Sequence, residues 1–159
     1  MPTSKQLAKH LHQVYFGGNW TAVNFKDSVS GISLETATYK IEGCNSILAL
    51  TYHIHYFIKG VTSVFEGGEL LIRDKFSYDF PALKSQKEWE SFLNTLWNEA
   101  EYFIKLVSQF PDEKLNDNFV NKKYGTYVSN ILGLIEHTHY HLGQIVILKK
   151  MIGSKKSSN

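Results

Sequence analysis

Between Ser85 and Pro111 the apolar residues recur at one spacing: Trp89, Phe92, Leu93, Leu96, Ala100, Phe103 and Val107 share a face if the chain turns every 3.6 residues. A strand would bring alternate residues to one side, so this period predicts a helix with a single buried stripe. Ser85 followed by Glu88 is a capping box at its start, and Pro111 ends it. Three other stretches repeat the pattern. One runs from about Thr3 to Phe16, with Leu7, Leu11, Val14 and Tyr15 in step, and stops at Gly17-Gly18. The next starts near Asn45-Ser46, both good caps, and ends near Gly67-Gly68. The last follows Gly125, runs from about Tyr127 to Ile152, and closes on Gly153 with Lys149 and Lys150 in its final turns. Each stripe must be buried against another, so the sequence predicts an all-α four-helix bundle.

The intervening segments are long for such a fold. About 27 residues separate the first two helices, about 17 the next pair and about 15 the last. Helices in simple up-and-down order need much less, so at least one connection is expected to cross the bundle. The apolar piece from Leu70 to Ile72 reads as a loop strap rather than a strand. No linker interrupts the chain, and 43% hydrophobic residues suffice for one core, giving one domain over residues 1–153 and a flexible tail over 154–159.

Composition narrows the setting. The N-terminal segment lacks the apolar centre of a signal peptide, no run reaches the roughly 18 apolar residues of a membrane span, and the single Cys44 has no partner for an internal disulfide. These features predict a cytoplasmic protein with no membrane association. A net charge of +2, with no basic stripe, predicts no nucleic-acid partner.

Five of the seven histidines fall in two short patches, Tyr52 to Phe57 and Glu136 to Ile145. His137 and His141 are four apart, one helical turn, so they can converge on one ion. His139 lies about 200° around the helix from His137 and cannot join them. In the other patch His53 shares a stripe with Ser46, Leu50, Phe57 and Gly60, whereas His55 falls on the more polar side. The spacing therefore favours His53, His137 and His141 as ligands of one divalent metal, and gives surface or subunit-contact roles to His10, His12, His55 and His139. A hydrogen-bonded pair of core histidines is the alternative reading of the same spacing. Glu136 precedes His137, so the zinc-protease order His-Glu-x-x-His is absent. A di-iron bundle would need a second Glu-x-x-His and more helix-borne carboxylates than this chain has.

The segments GGNWT (Gly17 to Thr21), CNSILALTYHIHYF (Cys44 to Phe57) and HTHYHLGQI (His137 to Ile145) resemble the DinB/YfiT-like superfamily of metal-dependent hydrolases, over about Leu7 to Met151. The resemblance implies a four-helix bundle with a crossover connection, a divalent metal such as zinc or nickel, and homodimers. It places the metal histidines on His53, His137 and His141. Members of such a family include thiol-dependent S-transferases and hydrolases, so the resemblance implies an enzyme acting on a small-molecule substrate, with a low-molecular-weight thiol as a possible cosubstrate. A non-catalytic metal-binding or stress-response protein is the alternative.

Other residues carry smaller expectations. Gln144 lies one turn beyond His141 and could hold a ligand or satisfy backbone at a helix contact. Glu136 is expected to be a solvated acid and Cys44 an inert thiol. Tyr52, Tyr56, Trp97 and Tyr140 could line a pocket or simply fill the core.

Overall fold

A computed structural model describes residues 3–157, with side chains as far as Lys155. Six α-helices account for most of the chain: α1 (Thr3–Phe16), α2 (Phe25–Val29), α3 (Leu34–Thr38), α4 (Ile47–Phe65), α5 (Gln86–Gln109) and α6 (Tyr127–Ser157). No strand occurs among the described residues, where Asn118 and Thr126 make one isolated antiparallel bridge. The segment from Leu70 to Ile72 is accordingly a strap, as its composition suggested.

The four expected helices are the long ones, and their pairing explains the long connections. α1 packs against α5 and α6, and α4 packs against the same two. α1 and α4 are therefore diagonal to one another, as are α5 and α6. The α1-to-α4 and α5-to-α6 connections must cross the bundle, whereas the α4-to-α5 strap joins neighbours. The first crossing contains the two short helices that periodicity does not announce. Asn24 and Ser33 start them by accepting from the N–H groups of Asp27 and Thr36. α2 packs on α1 and α6, and α3 on α4, so this crossing closes over the core.

Apolar side chains from all four long helices fill the centre, among them Leu11, Ile54, Trp89, Phe103 and Ile145. Fully burying one such side chain contributes about 1.5–3 kcal/mol. Two polar groups that enter with them find partners: Trp89 Nε1 donates to the Ile32 carbonyl at 3.0 Å, and the Tyr15 hydroxyl meets Thr138 Oγ1 at 3.1 Å. Burial pushes the Tyr15 phenol well above its ordinary range.

The helix ends show how local chemistry sets the boundaries. Ser85 Oγ accepts from the Glu88 N–H at 3.2 Å, as a capping box requires. Glu88 Oε2, however, accepts from the Lys84 N–H at 2.5 Å, one residue before the cap. The start of α1 is capped from a distant part of the chain, where Asp112 takes the Thr3 and Ser4 N–H groups at 2.6 and 2.9 Å. Bonds from the Ser4 hydroxyl and from these two amides hold the Asp112 carboxyl below the usual carboxylate range.

α6 runs past the expected end, through Gly153 to Ser157. Gly153 is absent from the positive-φ glycines, so it continues the helix instead of reversing it. Lys155, within the extra turn, complements the negative end of the helix dipole.

The strap is seated by one glycine. Gly60 is buried on α4, and a β-carbon there would stand 2.3 Å from Ile72 Cγ2. Only a hydrogen side chain lets the strap approach this closely. Next along the strap, Tyr56 on α4 engages both main-chain groups of Arg73. Its hydroxyl accepts from the Arg73 N–H at 2.9 Å and donates to the Arg73 carbonyl at 3.1 Å. Gly60→Val is expected to cost about 1–3 kcal/mol through overpacking against Ile72. A double-mutant cycle with Ile72→Ala, followed by urea unfolding, should show the two changes compensating; strictly additive losses would contradict this seat.

Candidate metal centre

α4 and α6 share a packed face, and both histidine patches reach it. Thr51 and Thr138 on these helices satisfy their hydroxyls within their own turns, donating to the Ile47 and Leu134 carbonyls. The imidazoles instead turn toward one another. His53 Nε2 lies 2.9 Å from His137 Nε2, and His141 Nε2 lies 3.1 Å from the same atom. These three residues form a group able to hold a metal ion, their ligand atoms all within 4.8 Å of one another. His53 and His141 are buried and His137 is half-buried.

Three ring nitrogens this close cannot all be satisfied by each other, because each neutral imidazole carries a single N–H. Gln144 fixes one of those protons: its Oε1 accepts from His141 Nδ1 at 2.7 Å, which leaves His141 Nε2 a bare lone pair aimed at His137. His53 Nδ1 is buried without a hydrogen-bond partner, although the Ser77 main chain acts on the same ring. The two short separations, from His137 to His53 and to His141, suit a cation. Bonds of about 2.1 Å from one ion to two nitrogens hold them about 3.0 Å apart at a right angle and about 3.4 Å apart at the tetrahedral angle.

Electrostatics keep His137 and His53 in the form that binds metal. Desolvation, together with the neighbouring His141 and His53, lowers His137 to about 4. Desolvation and His141 lower His53 as well. The Asp74 carboxylate opposes both shifts from the strap. Tyr78, also on the strap, stacks on His53 with centroids 4.3 Å apart and planes 11° from parallel, while Phe57 and Tyr140 meet His137 and His141 edge-on.

A cavity of about 450 Å³ lies beside the cluster. His137, Arg73, Asp74 and Asn130 supply polar groups to its wall, and Phe57, Leu70, Phe119 and Leu134 supply apolar ones. Asp74, Arg73 and Tyr78 carry no local sequence signal. They belong to the site only because the strap crosses α4 there.

The remaining candidates separate cleanly. His10 and His12 are exposed and His139 is half-buried, away from the cluster. His55 is not a surface residue. It is 8% exposed, packed edge-on against Phe92, and its Nε2 pairs with Glu99 Oε2 at 2.5 Å. The polar stripe on which it lies faces α5, which supplies the carboxylate. Glu136 is exposed. Cys44 is an exposed free thiol that lines a separate cavity of about 250 Å³ with Gln144 and Met151. Trp97 is core, set edge-on to Phe16 and Phe25, and Tyr52 packs on Phe80 and Phe92.

Comparison with protein-family models, with curated proteins and with solved structures returns no match to this chain.

The depressed histidines make the metal-free protein sensitive to acid. The unfolded chain protonates His137 near pH 6.5, but the folded chain resists until about 4. The stability gained from keeping His137 and His53 neutral is thus fully present above about pH 6.5 and is lost as pH falls toward 4. Thermal melts of chelator-treated protein should show a falling midpoint from about pH 6.5 to 5, and His137→Asn should flatten that slope. An unchanged slope in the variant would contradict the assignment.

Proposed function

We propose that this chain binds one divalent metal ion, zinc or nickel, through His53, His137 and His141, and acts as a small-molecule enzyme of the thiol-dependent S-transferase or hydrolase kind. The observation that carries the reading is the cavity of about 450 Å³ in whose wall His137 stands. A storage or purely structural site would be expected to close its ligand sphere with a fourth protein group. Here the candidate group contains three histidines and no further His, Cys, Asp or Glu among the described residues. The resemblance of the histidine segments to the DinB/YfiT-like superfamily supports the same ligand set. It also motivates a homodimer, for which the exposed Tyr140, Ile147 and Met151 on α6 offer a contact face.

When bound, a divalent ion with an open position supplies Lewis-acid activation of a thiol or of water. The chain's own residues do the rest. His53, His137 and His141 offer neutral Nε2 lone pairs, and Gln144 holds the His141 ring in the tautomer that does so. Asp74, in the cavity wall and electrostatically coupled to His53 and His137, is the carboxylate able to take a proton from an incoming thiol or water. Phe57 and Tyr78 cover the imidazoles and limit water around them.

Metal analysis of protein made without a histidine tag tests the binding part. About one equivalent is expected in the parent and in His139→Ala, and essentially none in His53→Ala, His137→Ala or His141→Ala. Full occupancy in His53→Ala would sink the ligand set. On cobalt-substituted protein, a low-molecular-weight thiol should produce sulfur-to-metal charge-transfer absorption if the chain is a transferase. A panel of thiols that gives no spectral change would remove that branch and leave hydrolysis or simple metal binding.

A further inference from the structure

Resting on that reading, we propose that the cavity beside His137 takes a small molecule that joins an apolar body to an anionic head group, and that Arg73 receives the head group. The volume, about 450 Å³, lies within the range of small-molecule sites. Phe57, Val61, Leu70, Phe119 and Leu134 give its wall an apolar majority, suited to an aryl or alkyl body. Arg73 is the one Lys or Arg in that wall.

Two features make Arg73 more than an incidental surface cation. Its main chain is held at both polar groups by the Tyr56 hydroxyl, and the residue before it is seated against Gly60. The origin of the side chain is therefore fixed. Its guanidinium, by contrast, makes no ion pair and no side-chain hydrogen bond among the described residues, although Asp74 is adjacent in sequence. Asp74 instead acts on His53, His137 and Tyr78. The strap thus sets its carboxylate to act on the histidines and leaves Arg73, a residue of the cavity lining, with its five-donor fork unused. That fork matches the paired oxygens of a carboxylate or phosphate. With a divalent ion bound, the ion outweighs Asp74 and, together with Arg73, leaves the cavity net positive.

Binding can be read without any assay of turnover. The probes are 4-phenylbutyrate, its uncharged amide, phenyl phosphate and acetate, titrated by calorimetry and ligand-detected NMR into the full chain. Metal-loaded and chelator-treated samples are both used. The parent is expected to bind 4-phenylbutyrate about tenfold more tightly than the amide, and acetate far more weakly than either. Arg73→Gln should abolish the preference for the acid while retaining about one equivalent of metal, and Arg73→Lys should keep part of it. Because Arg73 is exposed, neither variant should disturb folding. Preference for phenyl phosphate over the acid, lost in the same variant, would identify phosphate as the head group. Equal binding of acid and amide by the parent would overturn the proposal, as would an undiminished preference in Arg73→Gln or binding of no aryl probe. In the chelator-treated sample an Arg73-dependent preference should persist. If that sample shows it while metal content proves negligible in both preparations, the metal assignment fails and the anion site stands.

Discussion

Two helices that pack with imidazoles in their common face must give those nitrogens something to bind. In this chain α4 and α6 meet with His53, His137 and His141 between them, and the Nε2 atoms of His53 and His141 each come within about 3 Å of His137 Nε2. Hydrogen bonds among themselves cannot use every lone pair, and protonation is opposed by burial and by mutual repulsion, which hold His137 near 4. Such an arrangement costs stability unless a cation resolves it. The surrounding features follow from that constraint. Gln144 holds a ring orientation, Tyr78 and Phe57 shield the cluster, and Asp74 contributes a compensating negative charge.

The strap between α4 and α5 turns this cluster from a packing problem into a candidate binding site. Seated on Gly60 and tied to Tyr56, it carries Arg73, Asp74, Ser77 and Tyr78 across α4 at the level of His53. Joining neighbouring helices would require only a short turn. The extra length is used to wall the cavity that reaches His137. The other long connections have a different cause, since they span the diagonals of the bundle.

The extent to which the sequence foretold this depends on how local each signal is. The Ser85 cap and the stripe from Trp89 to Val107 depend on residues a turn apart, and α5 forms where they predict. His137 and His141 are a turn apart on one helix, and His53 could be chosen over His55 because the stripes of α4 differ in polarity. Local sequence is silent where the deciding partner is remote. His55 is buried because Glu99, on another helix, accepts its bond, and nothing near position 55 announces that carboxylate. α2 and α3 span barely more than one turn each, too short for a period to emerge. Arg73 and Asp74 join the site through the path of the strap, which is settled by contact between Gly60 and Ile72. Gly153 resembled a helix end, yet glycine in a terminal turn stops a helix only when its backbone turns left-handed.

The central claim is that three histidine nitrogens share one divalent ion and leave it open on the cavity side. X-ray absorption at the metal edge of zinc-loaded protein examines that claim atom by atom. Imidazole scattering equivalent to about three histidines, at about 2.0–2.1 Å, with a light oxygen shell and no sulfur, is the result this account predicts. A sulfur shell at about 2.3 Å, which would implicate Cys44, or scattering from fewer than two imidazoles, would contradict it.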